Sequence, residues 1–176
     1  MRHNLIYIGS TSGTINIRDI RAGIEIIARI NAHKSKVSCL ITSKHNTHVF
    51  YSAGADGIIN AYDLRNLEQS YNTDQPQQKY GITCLYEANN GKIYSGGAEG
   101  LRIWDNIHNK SCMIRSACAL INGEIKKVSL QYVDCISAND DESELYISNI
   151  PIGITVLSPK YGIEEFGEDI AQLSQS

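Results

Sequence analysis

The sequence lacks long apolar runs and any excess of basic charge. No run approaches the roughly 18 apolar residues of a membrane helix, and the apolar stretch near the N-terminus is too short for the core of a signal peptide. The net charge is −3, and four acidic residues against one lysine after Ser158 account for all of it. Residues 1–157 are formally neutral, so no basic face for nucleic acid is expected. We therefore predict a protein that binds neither nucleic acid nor membrane.

The cysteines also lack the pattern of a metal site or a disulfide framework. There are five, an odd number, and Cys112 and Cys118 have no second pair at zinc spacing. Cys39 and Cys84 occupy the same position in two similar segments, VSCL and ITCL, where a small buried side chain fits. We expect reduced structural thiols in a cytoplasmic or nuclear protein, with no metal and no cofactor.

What the sequence does have is a repeated strand–turn–strand segment. Residues 51–65 read YSAGADGIINAYDLR, in which Asp56-Gly57 is a strong hairpin-turn signal between strands near 49–53 and 58–62. Similar segments cover residues 7–19 and 94–105, and a weaker one ends at Asn149. The closing positions are Asp19, Asp63, Asp105 and Asn149, at intervals of 44, 42 and 44 residues.

A period in the low forties built on strand, turn, strand and an aromatic-Asp pair (Trp104-Asp105) resembles the WD-repeat β-propeller family. The resemblance implies an all-β fold: a propeller arc of about four blades of four-stranded antiparallel sheet over residues 1–158, followed by an acidic C-terminal tail, 159–176. The first blade lacks its inner strand, and the fourth is predicted near 124–130, 133–137, 144–148 and 153–157. Such an arc exposes both end faces, so we expect either a piece of a larger propeller or an arc that a second copy or a partner chain completes.

The family resemblance also implies a structural hydrogen-bond network in two blades. In the second blade it would join His33, Ser52, Asp56 and Tyr62, with the Tyr62 hydroxyl as a donor. In the third blade it would involve Ser95, Glu99 and Trp104, with Gln78 at the histidine position. A hydrolase using Ser52, His33 and Asp56 is the alternative, but no nucleophile elbow or oxyanion loop accompanies this serine.

Two loops with possible metal ligands favour ordinary turns. His45 and His48 form an HxxH pair without acidic or cysteine ligands at metal spacing. Residues 140–142 (DDE) lack the glycine and the terminal glutamate of a calcium loop. We predict solvated turns at both places.

The predicted function is a non-catalytic scaffold for protein–protein contacts within a multiprotein assembly. The predicted partner-binding residues lie on loops between strands: His45, His48, Asp63, Arg65, Tyr71 and Tyr80. One alternative is a substrate receptor of a cullin-RING ubiquitin ligase, because residues 61–65 (AYDLR) resemble that family's aromatic-Asp-x-Arg box. In that case Tyr62, Asp63 and Arg65 would contact the adaptor, since a guanidinium suits bidentate contacts.

Overall fold

The computed structural model describes residues 4–23, 25–72, 78–104, 111–114, 116–121, 124–130, 132–149 and 153–157. This part of the chain is all-β apart from one 3-10 turn, Ile20–Ala22, as predicted. No helix among these residues is long and apolar enough to cross a membrane. The predicted C-terminal tail, 159–176, lies outside the described residues.

The described strands follow one another in short steps along the chain. They are β1 Leu5–Gly9, β2 Thr14–Asp19, β3 Ile26–Asn31, β4 Val37–Thr42, β5 Val49–Gly54, β6 Ile59–Asp63, β7 Asn66–Asn72, β8 Ile82–Glu87, β9 Ile93–Gly97, β10 Gly100–Trp104, β11 Ser111–Ile114, β12 Ser116–Ile121, β13 Glu124–Ser129, β14 Val133–Ala138, β15 Leu145–Asn149 and β16 Gly153–Leu157.

These strands form four blades and one hairpin, all with antiparallel pairing. Blade one is β1-β2-β3, blade two β4-β5-β6-β7, blade three β8-β9-β10-β11 and blade four β14-β15-β16. β12 pairs with β13 in a separate hairpin. The predicted all-β partial propeller of about four blades is confirmed, and blade one has three strands among the described residues.

The turn between β5 and β6 shows why the repeated segment folds as it does. Gly57 has φ 77°, a conformation that glycine adopts without strain, and its N–H donates to the carbonyl of Gly54. Asp56 accepts from the backbone N–H of Ile58 at 3.2 Å, which fixes the entry into β6. The two strands then pair in register from Ala53 and Ile59 outwards.

The core lies between the blades, in three layers. The strands β2, β6 and β10, which are the third strands of the family's four-strand pattern, each turn two apolar side chains towards the next blade, where period-2 alternation places them. These pairs are fully or almost fully buried: Ile15 and Ile17 face Val37 and Phe50, Ile59 and Ala61 face Ile82 and Leu85, and Leu101 and Ile103 face Val133 and Ile136. Burying each large apolar side chain stabilises the arc by about 1.5–3 kcal/mol.

The four strands predicted for blade four are present, but the predicted pairing of the first one was wrong. Residues 124–130 were expected as its inner strand, but β13 pairs with β12 and not with β14. β14 instead packs against β8 and β9, as β8 packs against β4 and β5. A hydroxyl on each inner strand bridges to the next: Ser38 Oγ donates to the carbonyl of Ile82 at 2.5 Å, and Thr83 Oγ1 donates to that of Val133. β14 is therefore the inner strand of blade four.

Candidate interaction site

The polar centre of blade two is built around His33, in the connection that enters β4. Its Nδ1 lies 3.0 Å from Asp56 Oδ1 and its Nε2 lies 2.7 Å from Ser52 Oγ. A neutral imidazole that donates to the carboxylate through Nδ1 would accept a hydrogen bond from the serine hydroxyl at Nε2. Asp56 also accepts from the backbone N–H of Lys34 at 2.9 Å. The set ties the blade entry to β5 and to the β5–β6 turn.

Tyr62 does not donate to this set as predicted. Its hydroxyl is buried beside Ser52 and Asn60, but none of the described residues meets it at hydrogen-bond geometry. Its ring stacks on Phe50 with centroids 5.0 Å apart, and burial raises the pKa of the phenol. Tyr62 therefore contributes through its ring.

Blade three has the same architecture with glutamine in place of histidine. Gln78 Nε2 donates to Ser95 Oγ at 2.9 Å, and Trp104 Nε1 donates to the same oxygen at 3.0 Å. Glu99 lies instead 3.6 Å from the guanidinium of Arg102. The sequence contained a signal for Gln78, since it stands four residues before Ile82, as His33 stands four before Val37.

The serine of the trio considered for hydrolysis is closed to substrates. The side chains of His33 and Ser52 are wholly buried, and Asp56 is 10% exposed. Both ring nitrogens of His33 already have partners. A buried polar network whose members are hydrogen-bonded to one another fixes one packing of the blade.

Glu142 joins three blades at one rim of the arc, contrary to the prediction of a solvated acidic turn. We call the loops 43–48, 88–92 and 139–144 the clasp rim. Glu142 Oε1 accepts from Lys44 Nζ at 2.8 Å and from the Tyr86 hydroxyl at 2.6 Å, and its Oε2 accepts from the backbone N–H of Asn89 at 2.6 Å. Burial alone would raise the pKa of Glu142, but these donors outweigh it and lower that pKa.

Glu87 makes a second connection on the clasp rim. It is buried, and it accepts from Ser43 Oγ at 2.9 Å and from the backbone N–H of Lys44 at 2.5 Å. His45, predicted to face a partner, places Nε2 3.1 Å from the carbonyl oxygen of Ala88 in the next blade. His48, the other predicted histidine, has a buried Nδ1 without a partner within the described residues. His45 is thus used within the arc.

Asp63 and Arg65 bind each other. The backbone N–H and Nε of Arg65 both donate to Asp63 Oδ1 at 2.9 Å, and the guanidinium reaches Oδ2 at 2.5 Å. The same contacts join Asp19 and Arg21 at the end of β2. Hydrogen bonds from the arginines lower the pKa of each aspartate to about 2. The repetition favours a local role, in which each arginine caps the turn that follows a third strand.

The remaining predicted partner residues are two tyrosines. Tyr80 lies on the opposite rim, is 53% exposed, and has the Lys79 ammonium 5.4 Å from its ring centroid. Tyr71 lies in β7, the outer strand of blade two, and its backbone pairs with that of Ala61 in β6. Its side chain lies outside the described residues. Among the described residues, no cluster of three His, Cys, Asp or Glu could hold a metal ion.

Comparison with known proteins finds similarity to two fungal proteins named ribosome biogenesis protein YTM1. The chain is 28% identical over 99 residues to that of Laccaria bicolor, covering 54% of this chain and 22% of the relative. It is 26% identical over 129 residues to that of Phaeosphaeria nodorum, covering 72% of this chain and 26% of the relative. The chain thus spans about a quarter of the length of these relatives. No family model matches the sequence.

Among solved structures, the WD40 β-propeller domain of Doa1 superposes with a TM-score of 0.64 at 17% identity. The match covers 90% of this chain and 48% of that one. At this identity the likeness concerns the fold, and it agrees with the blades and inter-blade layers described above.

Proposed function

We propose that this chain, which has the WD-repeat β-propeller fold, is a non-catalytic scaffold that binds other proteins within an assembly concerned with ribosome biogenesis. The observation that carries the proposal is the burial and internal pairing of the Ser-His-Asp trio, which is the described set closest to a catalytic arrangement. His33, Ser52 and Asp56 are tied to one another in the interior. What the arc offers to the outside is loops at its two rims, and in this architecture binding specificity lies on loops.

The assembly is suggested by similarity to the two YTM1 proteins. A tagged copy of the chain, expressed in a host cell, should sediment with precursor ribosomal particles on a sucrose gradient of a nuclear extract. Sedimentation only at the position of the free protein would contradict the proposal. We also infer a nuclear location, which fluorescence microscopy of the same tagged chain would test.

The arc needs protein on its open face at blade one. β1 has one paired edge among the described residues, and four isoleucines of this blade are exposed: Ile6, Ile8, Ile26 and Ile27, between 39% and 53%. Exposed apolar side chains concentrated in one blade mark an interaction surface. We propose that further blades cover it, whether they belong to a longer chain, a second copy or another protein. Light scattering after size exclusion should give a dimer if the second copy is responsible.

The ubiquitin-ligase receptor remains an alternative that the geometry does not favour. Arg65 is 61% exposed but bound to Asp63, and Arg21 repeats this without the preceding aromatic residue. If the alternative holds, Arg65→Ala will abolish co-purification of an adaptor propeller while Arg21→Ala will not. Equal recovery with both variants would exclude it.

A further inference from the structure

The rim opposite the clasp rim carries a cluster of exposed basic and aromatic side chains. It is formed by the residues that enter the inner strands β4, β8 and β14. We call it the basic rim, and its members are Lys34, Lys36, Lys79, Tyr80 and Tyr132, all exposed. The two tyrosines expose 53% and 56% of their surface.

Backbone contacts make these residues one continuous surface. The carbonyl of Lys36 accepts from the N–H of Ala55 at 2.8 Å, and a β-carbon on Gly81 would lie 2.8 Å from the Cα of Ala55. On the other side of blade three, the N–H of Tyr132 donates to the carbonyl of Ala98 at 3.4 Å. The three entry turns therefore follow one another around the rim.

Among the described residues near this surface, exposed lysines outnumber exposed acids. Asp134, two residues after Tyr132, is exposed, whereas Asp56 and Glu99 have side chains only 10% and 14% exposed. Asp56 is occupied by His33 and by the N–H of Lys34, and Glu99 faces Arg102. The three lysines are therefore not neutralised by these carboxylates, although the whole chain carries −3.

Tyr132 adds an independent observation. Its φ is 55°, in the left-handed region that a bulky residue rarely adopts. A strained residue usually recovers this cost through packing, yet more than half of the Tyr132 surface is exposed. Strained backbone of this kind concentrates at functional positions. The strain holds an aromatic ring at the rim where glycine would have been easier to place.

We propose that the basic rim binds an acidic, extended peptide segment of a partner protein. The inference rests on the proposed scaffold function and names the chemistry of one partner. The lysine ammonium groups attract carboxylates, the tyrosine hydroxyls donate to them, and the rings cover the intervening apolar side chains.

RNA fits this surface less well than an acidic peptide. Nucleic-acid affinity grows with the number of phosphates neutralised, and three lysines supply a salt slope of only about −2 to −3. A short peptide needs only two or three carboxylates to match the rim.

The test uses a fluorescein-labelled peptide of four Glu-Leu repeats, titrated with the purified chain at about 50 mM salt and followed by fluorescence anisotropy. The variant Lys36→Gln/Lys79→Gln removes two charges from the basic rim. The matched control Arg21→Gln/Arg65→Gln removes the same charge elsewhere, since both arginines follow the far ends of third strands and are 72% and 61% exposed.

We expect the lysine variant to bind the peptide about three- to tenfold more weakly, because exposed ion pairs contribute modestly, and the arginine variant to bind like the wild type. Tyr80→Ala/Tyr132→Ala should weaken binding in a manner independent of salt. Equal loss in the lysine and arginine variants, or equal binding of a Gln-Leu peptide, would overturn the proposal. Preferential binding of an oligouridylate of the same length would overturn it in favour of RNA. If peptide binding fails while the chain still sediments with precursor ribosomal particles, this inference fails and the scaffold function stands.

Discussion

Replacing Glu142 tests whether the clasp rim holds three blades together. Glu142→Ala removes the acceptor of Lys44 Nζ, the Tyr86 hydroxyl and the Asn89 N–H. A net hydrogen bond contributes about 0.5–1.5 kcal/mol, more when one partner is charged. Lys44 is 42% exposed, and water compensates part of its loss. We expect the free energy of unfolding to fall by about 2 kcal/mol.

The backbone at this position gives the prediction a sharper form. Glu142 has φ 55°, so an alanine there keeps the left-handed strain, while a glycine relieves about 1 kcal/mol of it. Glu142→Gly should therefore be about 1 kcal/mol more stable than Glu142→Ala. This is the reverse of the usual order, in which glycine is the more damaging replacement.

Urea unfolding followed by Trp104 fluorescence measures both variants. Glu144→Ala is the control, because Glu144 belongs to the same loop, is exposed, and accepts one hydrogen bond from Tyr146 at 2.7 Å. The control should stay within about 0.5 kcal/mol of the wild type. If Glu142→Ala is equally mild, or if the glycine variant is the less stable of the two, the reasoning is refuted.

Three other predictions use the same unfolding assay. His33→Ala should lower the free energy of unfolding by about 3 kcal/mol, because it leaves buried polar groups unpaired. His33→Gln should lower it clearly less, because Gln78 makes the corresponding hydrogen bond in blade three. Equal losses in the two variants would contradict this. Gly57→Ala should be much more damaging than Gly23→Ala, although both glycines have φ near 80°, because a β-carbon on Gly57 collides with a backbone carbonyl and one on Gly23 meets nothing. Asp63, with a pKa of about 2, binds protons less tightly in the folded chain than in the unfolded chain, so its contribution should vanish as the pH falls from about 4 towards 2. Asp63→Asn should remove this part of the pH dependence, and an unchanged profile would exclude it.

The sequence predicts best the features that depend on neighbouring residues. The turn at Asp56-Gly57 needs a positive φ and carries the residues that permit one. The alternation places Ile15 and Ile17 on the core-facing side of β2 and Ile59 on the core-facing side of β6, and all three are buried. Turn chemistry and period-2 patterning are local, so a single strand–turn–strand segment contains them.

Contacts between blades are harder to predict, because they depend on loops that meet only after the blades pack. Glu142 looks like part of an acidic surface turn, yet it binds Lys44, 98 residues away in the chain. The Tyr62 hydroxyl was predicted to donate a hydrogen bond, but none of the described residues meets it at hydrogen-bond geometry. Composition gives the chemical capacity of such side chains and not the partner that uses it.

The position of the fourth repeat shows how a regular spacing can mislead. An interval of 44 residues between closing positions suggested that Asn149 ends a third strand, but it ends β15, the second strand of blade four. The alternative pattern was also in the sequence: Val-Ser-Cys at 37–39 and Ile-Thr-Cys at 82–84 correspond to Val-Asp-Cys at 133–135.

The inner-strand pattern defines the register better than the spacing because it reflects a buried interaction. Each hydroxyl at its second position bonds the carbonyl of the next inner strand, which is costly to leave unpaired. A loop interval carries no such cost: Cys39 and Cys84 are 45 residues apart, whereas Cys84 and Cys135 are 51 apart, with the β12–β13 hairpin lying in the second interval. Insertions between blades change the count without disturbing the core, since long connections destabilise a fold only slightly. In a repeat fold, the register is therefore best assigned from the residues that contact the next repeat.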